Sequence, residues 1–225
     1  MTEGGRVRRV AAFDFDGTVS RRDTLVPFVA GVVGLPRSVA GGVAAAWSGL
    51  VRREFDPRDR DELKAHMVER LLAGRSEREL ERAAGLYATK LLDAGLRPEV
   101  VDQVRRHVAA GHETLFVSAS LVYYLRPIAR HLHMTDVIAV EPEEREGTLT
   151  GAMRRPNVRA GEKVVRLWEW LGLEPGAGRD GIELWAYGNS SGDHELLAAA
   201  DHAFWLGKPS AVPSGAVAWR HGLAV

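Results

Sequence analysis

Short apolar runs, each stopping at a small or polar turn and separated by segments of helical periodicity, constrain this chain more than any other feature. Residues 7–15 (VRRVAAFDF) form a β-branched and aromatic run that breaks at Asp16-Gly17-Thr18. Residues 114–117 open onto Ser118-Ala119-Ser120, residues 183–187 onto Gly188-Asn189-Ser190, and residues 203–206 onto Gly207-Lys208-Pro209; another strand is predicted at 137–140. Between them, residues 98–110 place Val100, Val101, Val104 and Val108 on one face, with Pro98 in the first turn and Gly111 as a stop. Residues 162–171 read as another helix, as does the segment after Asp193 with Leu196, Leu197 and Ala200. Strands alternating with helices predict an α/β fold whose parallel sheet is covered on both faces. Such sheets bind ligands beyond the carboxyl ends of their strands.

Residues 24–97 break the alternation. They contain no convincing strand and read as several helices, with a capping-box pattern at Ser76 and Glu79 and a helix entry at Asp56-Pro57. The expected organisation is therefore a core of residues 1–23 and 98–225 interrupted by a helical insert at 24–97; 225 residues suffice for both. Residues 146–151 (EGTLTG) are expected to form a short β-flap.

Composition excludes several functions. Thirty basic residues balance thirty acidic ones, so no basic surplus marks a nucleic-acid binder. The chain has no cysteine, which removes disulfides, thiolate metal sites and a cysteine nucleophile. The uncharged stretches 24–36 and 38–51 are too short to span a bilayer, and the first ten residues, with Arg6, Arg8 and Arg9, lack an export signal. A soluble, cytoplasmic protein is expected, as a monomer or homodimer.

Alternation along a strand end puts Asp14 and Asp16 on the same side, two residues apart. Two adjacent carboxylates repel unless a cation holds them or one is protonated, and a hard, oxygen-liganded ion such as Mg2+ is the natural solution. Ser118 offers a hydroxyl and neighbouring backbone N–H groups to phosphate oxygens, or simply caps a helix. Lys163 could neutralise phosphate charge or be solvated, and Asn189 and Asp193 could supply metal oxygens or cap the following helix.

Together, DFDGT at 14–18, Ser118 after a strand, Lys163 on a helix and GNSSGD at 188–193 resemble the haloacid dehalogenase superfamily of phosphohydrolases. The insert after the first motif resembles the subfamily of phosphoserine phosphatases and a bacterial phosphatidylglycerophosphatase. The resemblance implies a Rossmann-like core with an all-helical cap and a Mg2+-dependent phosphomonoester hydrolase. It implies that Asp14 is the nucleophile, forming an aspartyl-phosphate, that Asp16 is the general acid and base, and that Lys163 stabilises charge. It places Thr18, Ser118 and the Ala119 N–H on phosphoryl oxygens, and Asp14, the Asp16 carbonyl, Asn189 and Asp193 around Mg2+. Asp23 aligns with an acidic position at the cap entrance or caps the next helix. There are three departures from the pattern: Asn189 replaces a usual aspartate, Ala119-Ser120 a usual Gly-Gly, and Gly192 a usual asparagine.

Rival motifs are weaker. Residues 188–192 match the G-x-S-x-G elbow of serine esterases, with Ser190 as nucleophile and Asp201, His202 and His221 downstream. Residues 176–181 match G-x-G-x-x-G but precede a strand, the wrong context for a dinucleotide. His131 and His133 lack a third ligand and read as surface residues. Asn189 also admits a phosphate-binding module without turnover, and an aspartyl-phosphate could pass its phosphoryl group to another acceptor. The substrate expected is a small phosphorylated metabolite or lipid-like phosphomonoester. Phe28, Leu35, Trp47 and Leu50 would line an apolar groove or pack the insert on itself; Arg52 and Arg53 could grip a carboxylate.

Overall fold

A computed structural model describes residues 7–34, 70–174, 178–222 and 225. Its strands in chain order are β1 (Arg8–Phe13), β2 (Glu113–Leu121), β3 (Asp136–Val140), β4 (Pro142–Arg145), β5 (Thr148–Met153), β6 (Ile182–Gly188), β7 (His202–Trp205) and β8 (Val217–Ala218). The helices are α1 (Leu25–Val32), α2 (Glu77–Lys90), α3 (Pro98–Ala109), α4 (Val122–His131), α5 (Gly161–Leu171) and α6 (His194–Ala198).

Six strands form one parallel sheet in the order β3-β2-β1-β6-β7-β8. β1 is buried throughout Val10–Ala11–Ala12–Phe13 because neighbours cover both its faces, which is why it reads as a continuous apolar run. It pairs with β2 on one side (Phe13↔Phe116) and β6 on the other (Phe13↔Tyr187). The connectivity reverses direction at β1, so the crevice for a ligand lies just past Phe13, where Asp14 follows.

Several boundaries differ from the sequence expectation. β1 ends before Asp14, and Phe15–Val19 coils into a tight turn around Gly17, whose φ is +79°. β2 does not stop at Val117. It continues through Ser118 and Ser120, whose buried side chains fit the end of a covered sheet, while its register against β3 jumps from Val117↔Ile138 to Leu121↔Val140. β4 and β5 make a hairpin larger than the flap expected at 146–151, and α4 and β8 are additional elements.

The described part of residues 24–97 is helical. The chain departs and returns side by side, with Ser20 bridged to Leu96, Arg21 N–H donating to Gly95 O (2.9 Å) and Arg97 N–H to Val19 O (2.9 Å). Ser76 does stand before α2, but its side chain makes no capping bond. The hairpin supplies partners instead: Glu77 N–H donates to Gly147 O (2.9 Å), Gly74 N–H to Leu149 O (2.8 Å), and Leu149 N–H to Arg75 O (2.9 Å). In α1, Leu25, Val26, Phe28 and Val29 are buried, and Phe28 packs on Tyr87 and Tyr124 at 5.3 and 5.0 Å. Asp56-Pro57, Leu35, Trp47, Leu50, Arg52 and Arg53, and the start of the 176–181 motif, lie outside the described residues. Among the described residues no helix is long and apolar enough to cross a membrane.

Candidate active site

Asp14 leaves the end of β1 with its N–H bonded to Tyr187 O (2.9 Å), which fixes its backbone against β6. Its side chain is buried and meets Lys163 from α5: Lys163 Nζ donates to Asp14 Oδ1 at 2.7 Å and to Asp193 Oδ1 at 2.6 Å. Asp193 Oδ2 in turn accepts from Asn189 N–H (3.0 Å), Ser190 N–H (2.9 Å) and Ser190 Oγ (2.9 Å), a capping box that ties the loop after β6. Gly188 is required there, because a Cβ would stand 2.5 Å from Asp193 Cβ.

These contacts divide the charge unequally. Burial opposes ionisation of Lys163, but Asp14 and Asp193 outweigh it and hold the ammonium above its ordinary range. Burial likewise opposes ionisation of Asp193, yet Lys163 and the loop N–H groups keep it below the usual carboxylate range. Asp14 has fewer donors. Burial first, and then the Asp193 charge, push its carboxyl up to about 7 against the pull of Lys163. One lysine thus serves two buried carboxylates, with Asp16 two residues away, and the site carries an excess of negative charge.

Thr18 and Asn189 close the other side. Thr18 Oγ1 donates to Asp14 Oδ2 at 3.1 Å. One end of the Asn189 carboxamide lies 3.0 Å from Thr18 Oγ1, 3.3 Å from Asp14 Oδ2 and 3.1 Å from the Asp16 carbonyl oxygen. Two of those three can only accept, so the amide nitrogen belongs at that end. A Cβ at Gly17 would collide with this carboxamide, so glycine is needed for the approach as well as for its positive φ. No group of three or more His, Cys, Asp or Glu side chains converges among the described residues. A cation here would meet a carboxylate, a main-chain carbonyl and, once the Asn189 side chain turns its oxygen inward, a carboxamide, and such oxygen donors suit a hard ion such as Mg2+.

Asp16 faces the start of the insert. Its Oδ1 accepts from Thr24 N–H (2.9 Å) and Thr24 Oγ1 (2.5 Å), and its Oδ2 from Ser120 Oγ (2.6 Å). Ser118 Oγ is buried and accepts from Ser120 N–H at 3.2 Å, with Ala119 between them. Asp23 is exposed at the insert's entrance, where Oδ1 accepts from Leu25 N–H (3.1 Å) and Val26 N–H (3.3 Å). Asp14, Lys163, Asp193, Thr18 and Asn189 thus form one bonded cluster; Asp16 and Ser118 join Ser120 beside it. Ser190 serves Asp193, with no histidine among its hydrogen-bond partners, and His131 and His133 are exposed.

Sequence reading missed Thr24 and Tyr124 at this site and treated Ser120 only as a departure. The i, i+2 spacing of Ser118 and Ser120 along β2 was a usable signal. Nothing local marks Thr24, which reaches Asp16 only because the chain turns back at Gly17.

A strand-end aspartate is thus paired with a buried helix lysine at the switch point of a parallel sheet, and sequence comparison supplies the class of hydrolase that this arrangement belongs to. The chain belongs to the haloacid dehalogenase-like hydrolase family, whose profile matches residues 11–198. It is 34% identical over 213 residues to protein CicA of Caulobacter vibrioides (strain NA1000 / CB15N), covering 92% of this chain and 91% of that one. A protein of unknown function from Bordetella pertussis Tohama I has a similar structure, with a TM-score of 0.73 at 26% identity over 91% of this chain and 92% of that one. A phosphoserine phosphatase solved as a phospho-aspartyl intermediate analogue shares the fold, with a TM-score of 0.57 at 16% identity over 91% and 90% of the two chains.

Proposed function

We propose that this chain is a Mg2+-dependent phosphomonoester hydrolase acting through an aspartyl-phosphate on Asp14. The observation that carries the reading is the buried bridge from Lys163 to Asp14 and Asp193 at the sheet's carboxyl edge, where anionic side chains exceed cationic ones. Such an arrangement is costly as architecture and useful for binding a cation and then a phosphoryl group.

An Asp14 carboxylate oxygen attacks phosphorus; the bond from phosphorus to the alcohol oxygen breaks, and Asp16 gives its proton to that oxygen. Water then attacks the aspartyl-phosphate, Asp16 takes the water's proton, and phosphate departs as Asp14 is restored. Lys163 holds Asp14 in line and offsets charge on the transferring group. Thr18, Ser118 and the Ala119 N–H bind phosphoryl oxygens, and Asp23 stands where a substrate enters. Asp14, the Asp16 carbonyl and the Asn189 carboxamide, turned to present its oxygen, would hold Mg2+, with Asp193 beside them. When bound, the ion neutralises carboxylate charge and polarises the phosphoryl oxygens.

Residues 24–97 act as a cap that excludes water and meets the leaving group. The substrate is a small phosphorylated metabolite or a lipid-like phosphomonoester in the cytoplasm. The buried apolar side chains of α1 favour packing over groove formation for that part of the insert.

Hydrolysis of an aryl phosphate should require Mg2+ and fall by roughly a thousandfold or more in Asp14→Asn. A parent protein inactive with every divalent ion tried would replace this reading with that of a phosphate-binding module, to which Asn189 already lends some support.

A further inference from the structure

Ser120 occupies a place where a side chain can touch the proposed acid. It is fully buried in the irregular end of β2, and its hydroxyl donates to Asp16 Oδ2 at 2.6 Å. From the other side, Thr24 donates to Asp16 Oδ1 through both N–H (2.9 Å) and Oγ1 (2.5 Å). Tyr124 OH, also buried, lies 3.0 Å from Thr24 Oγ1, with the Ser120 side chain beside it. Tyr124, Thr24, Asp16 and Ser120 therefore form one hydrogen-bonded series drawn from α4, the start of the insert, the β1 turn and β2.

These bonds remove the rotational freedom that an aspartate in a turn would otherwise have. Both its carboxylate oxygens are fixed, one by the insert and one by the core. Tyr124 packs in a wall around Phe28 and the Thr24 carbonyl accepts from Tyr87 OH (2.9 Å), so both also serve structure. Ser120 is different, because its hydroxyl donates directly to the carboxylate and its small side chain adds little to that wall.

We infer that Ser120 is a positioning residue that aims Asp16 at the oxygen of the departing alcohol. The inference rests on the proposed phosphatase reading and assigns Ser120 to one step, protonation of the leaving group. A misplacement of about 1 Å in such a group can cost a hundredfold in rate. The loss should depend on how much the leaving group needs a proton. Alkoxides need one badly, whereas 4-nitrophenolate departs without help.

The test compares kcat/KM for 2-phenylethyl phosphate and 4-nitrophenyl phosphate in the parent, Ser120→Ala and Ser120→Thr. This ratio ends at formation of the aspartyl-phosphate and so leaves out its hydrolysis. Ser120→Ala should lose roughly ten- to hundredfold on the alkyl ester but less than about threefold on the nitrophenyl ester. Ser120→Thr, which keeps the hydroxyl, should recover most of the difference, and the nitrophenyl rate serves as the check that each variant is folded. Equal losses on both esters, or none on the alkyl ester, would overturn the role of Ser120 while leaving the phosphatase reading intact. A parent protein that hydrolyses neither ester would overturn both.

Discussion

Replacing Asn189 with aspartate would put a further carboxylate within reach of Asp14 Oδ2 and the Asp16 carbonyl, where the amide now donates. Without metal the added repulsion should lower the thermal midpoint. With metal the same charge becomes a ligand, and Asn189→Asp should bind Mg2+ about tenfold more tightly, a change of about 1.4 kcal/mol. Titration calorimetry that finds equal Mg2+ affinity in the two proteins would show that residue 189 is no ligand. At this scale much was legible: Asp14, Thr18, Lys163, Asn189 and Asp193 converge as their motifs indicated, because each ends a strand or begins a helix at one sheet edge. The attachment of Asp16 to Thr24 and Ser120 was not, since it depends on the turn geometry at Gly17 and on a register jump that residue types do not encode.

Helix α3 is tied to β6 by a buried polar chain rather than by apolar packing alone. Gln103 Nε2 donates to Tyr187 OH (3.2 Å), His107 Nε2 shares a hydrogen bond with the same hydroxyl (2.8 Å), and His107 Nδ1 lies 2.9 Å from His112 Nδ1. Burial, with His112 and His202 nearby, pushes the His107 imidazole down to about 3. The unfolded chain takes up that proton below an ordinary value of about 6.5 and the folded chain does not, so this contribution to stability is complete above that pH and lost as pH falls toward 3. Asp14, displaced upward, acts in the opposite sense between its two values, so a variant is needed to isolate the histidine. Urea midpoints of the parent should fall more steeply than those of His107→Gln between pH 6.5 and 4; parallel profiles would refute the assignment. The sequence showed α3 by its valine stripe but gave no sign of this chain. His107 and His112 are five residues apart, and only the stop at Gly111 folds one back onto the other.

The whole molecule sets two buried carboxylates, Asp14 and Asp193, against one lysine, with Asp16 two residues from the first, so a cation that binds only the folded form should stabilise it. At about 100 times its dissociation constant Mg2+ would contribute about 2.7 kcal/mol, or a rise of roughly 5–10 °C in the thermal midpoint for a chain of this size. Scanning with and without a chelator checks this, and Asp14→Asn should give a smaller rise. The α/β layout was readable from periodicity, as was the helical character of the described part of 24–97; the strand order was not, because nothing local states which distant run lies beside β1. That order also has a temporal consequence. β1 pairs with Glu113 onward on one side and Ile182 onward on the other, so during synthesis the first strand must wait for partners more than a hundred residues downstream. Its buried Val10–Phe13 run has no sheet to join before then, and Asp14 meets neither Lys163 nor Asp193 until the ribosome has passed them. Emerging chains should therefore be both inert toward phosphate esters and dependent on protection from aggregation for most of translation.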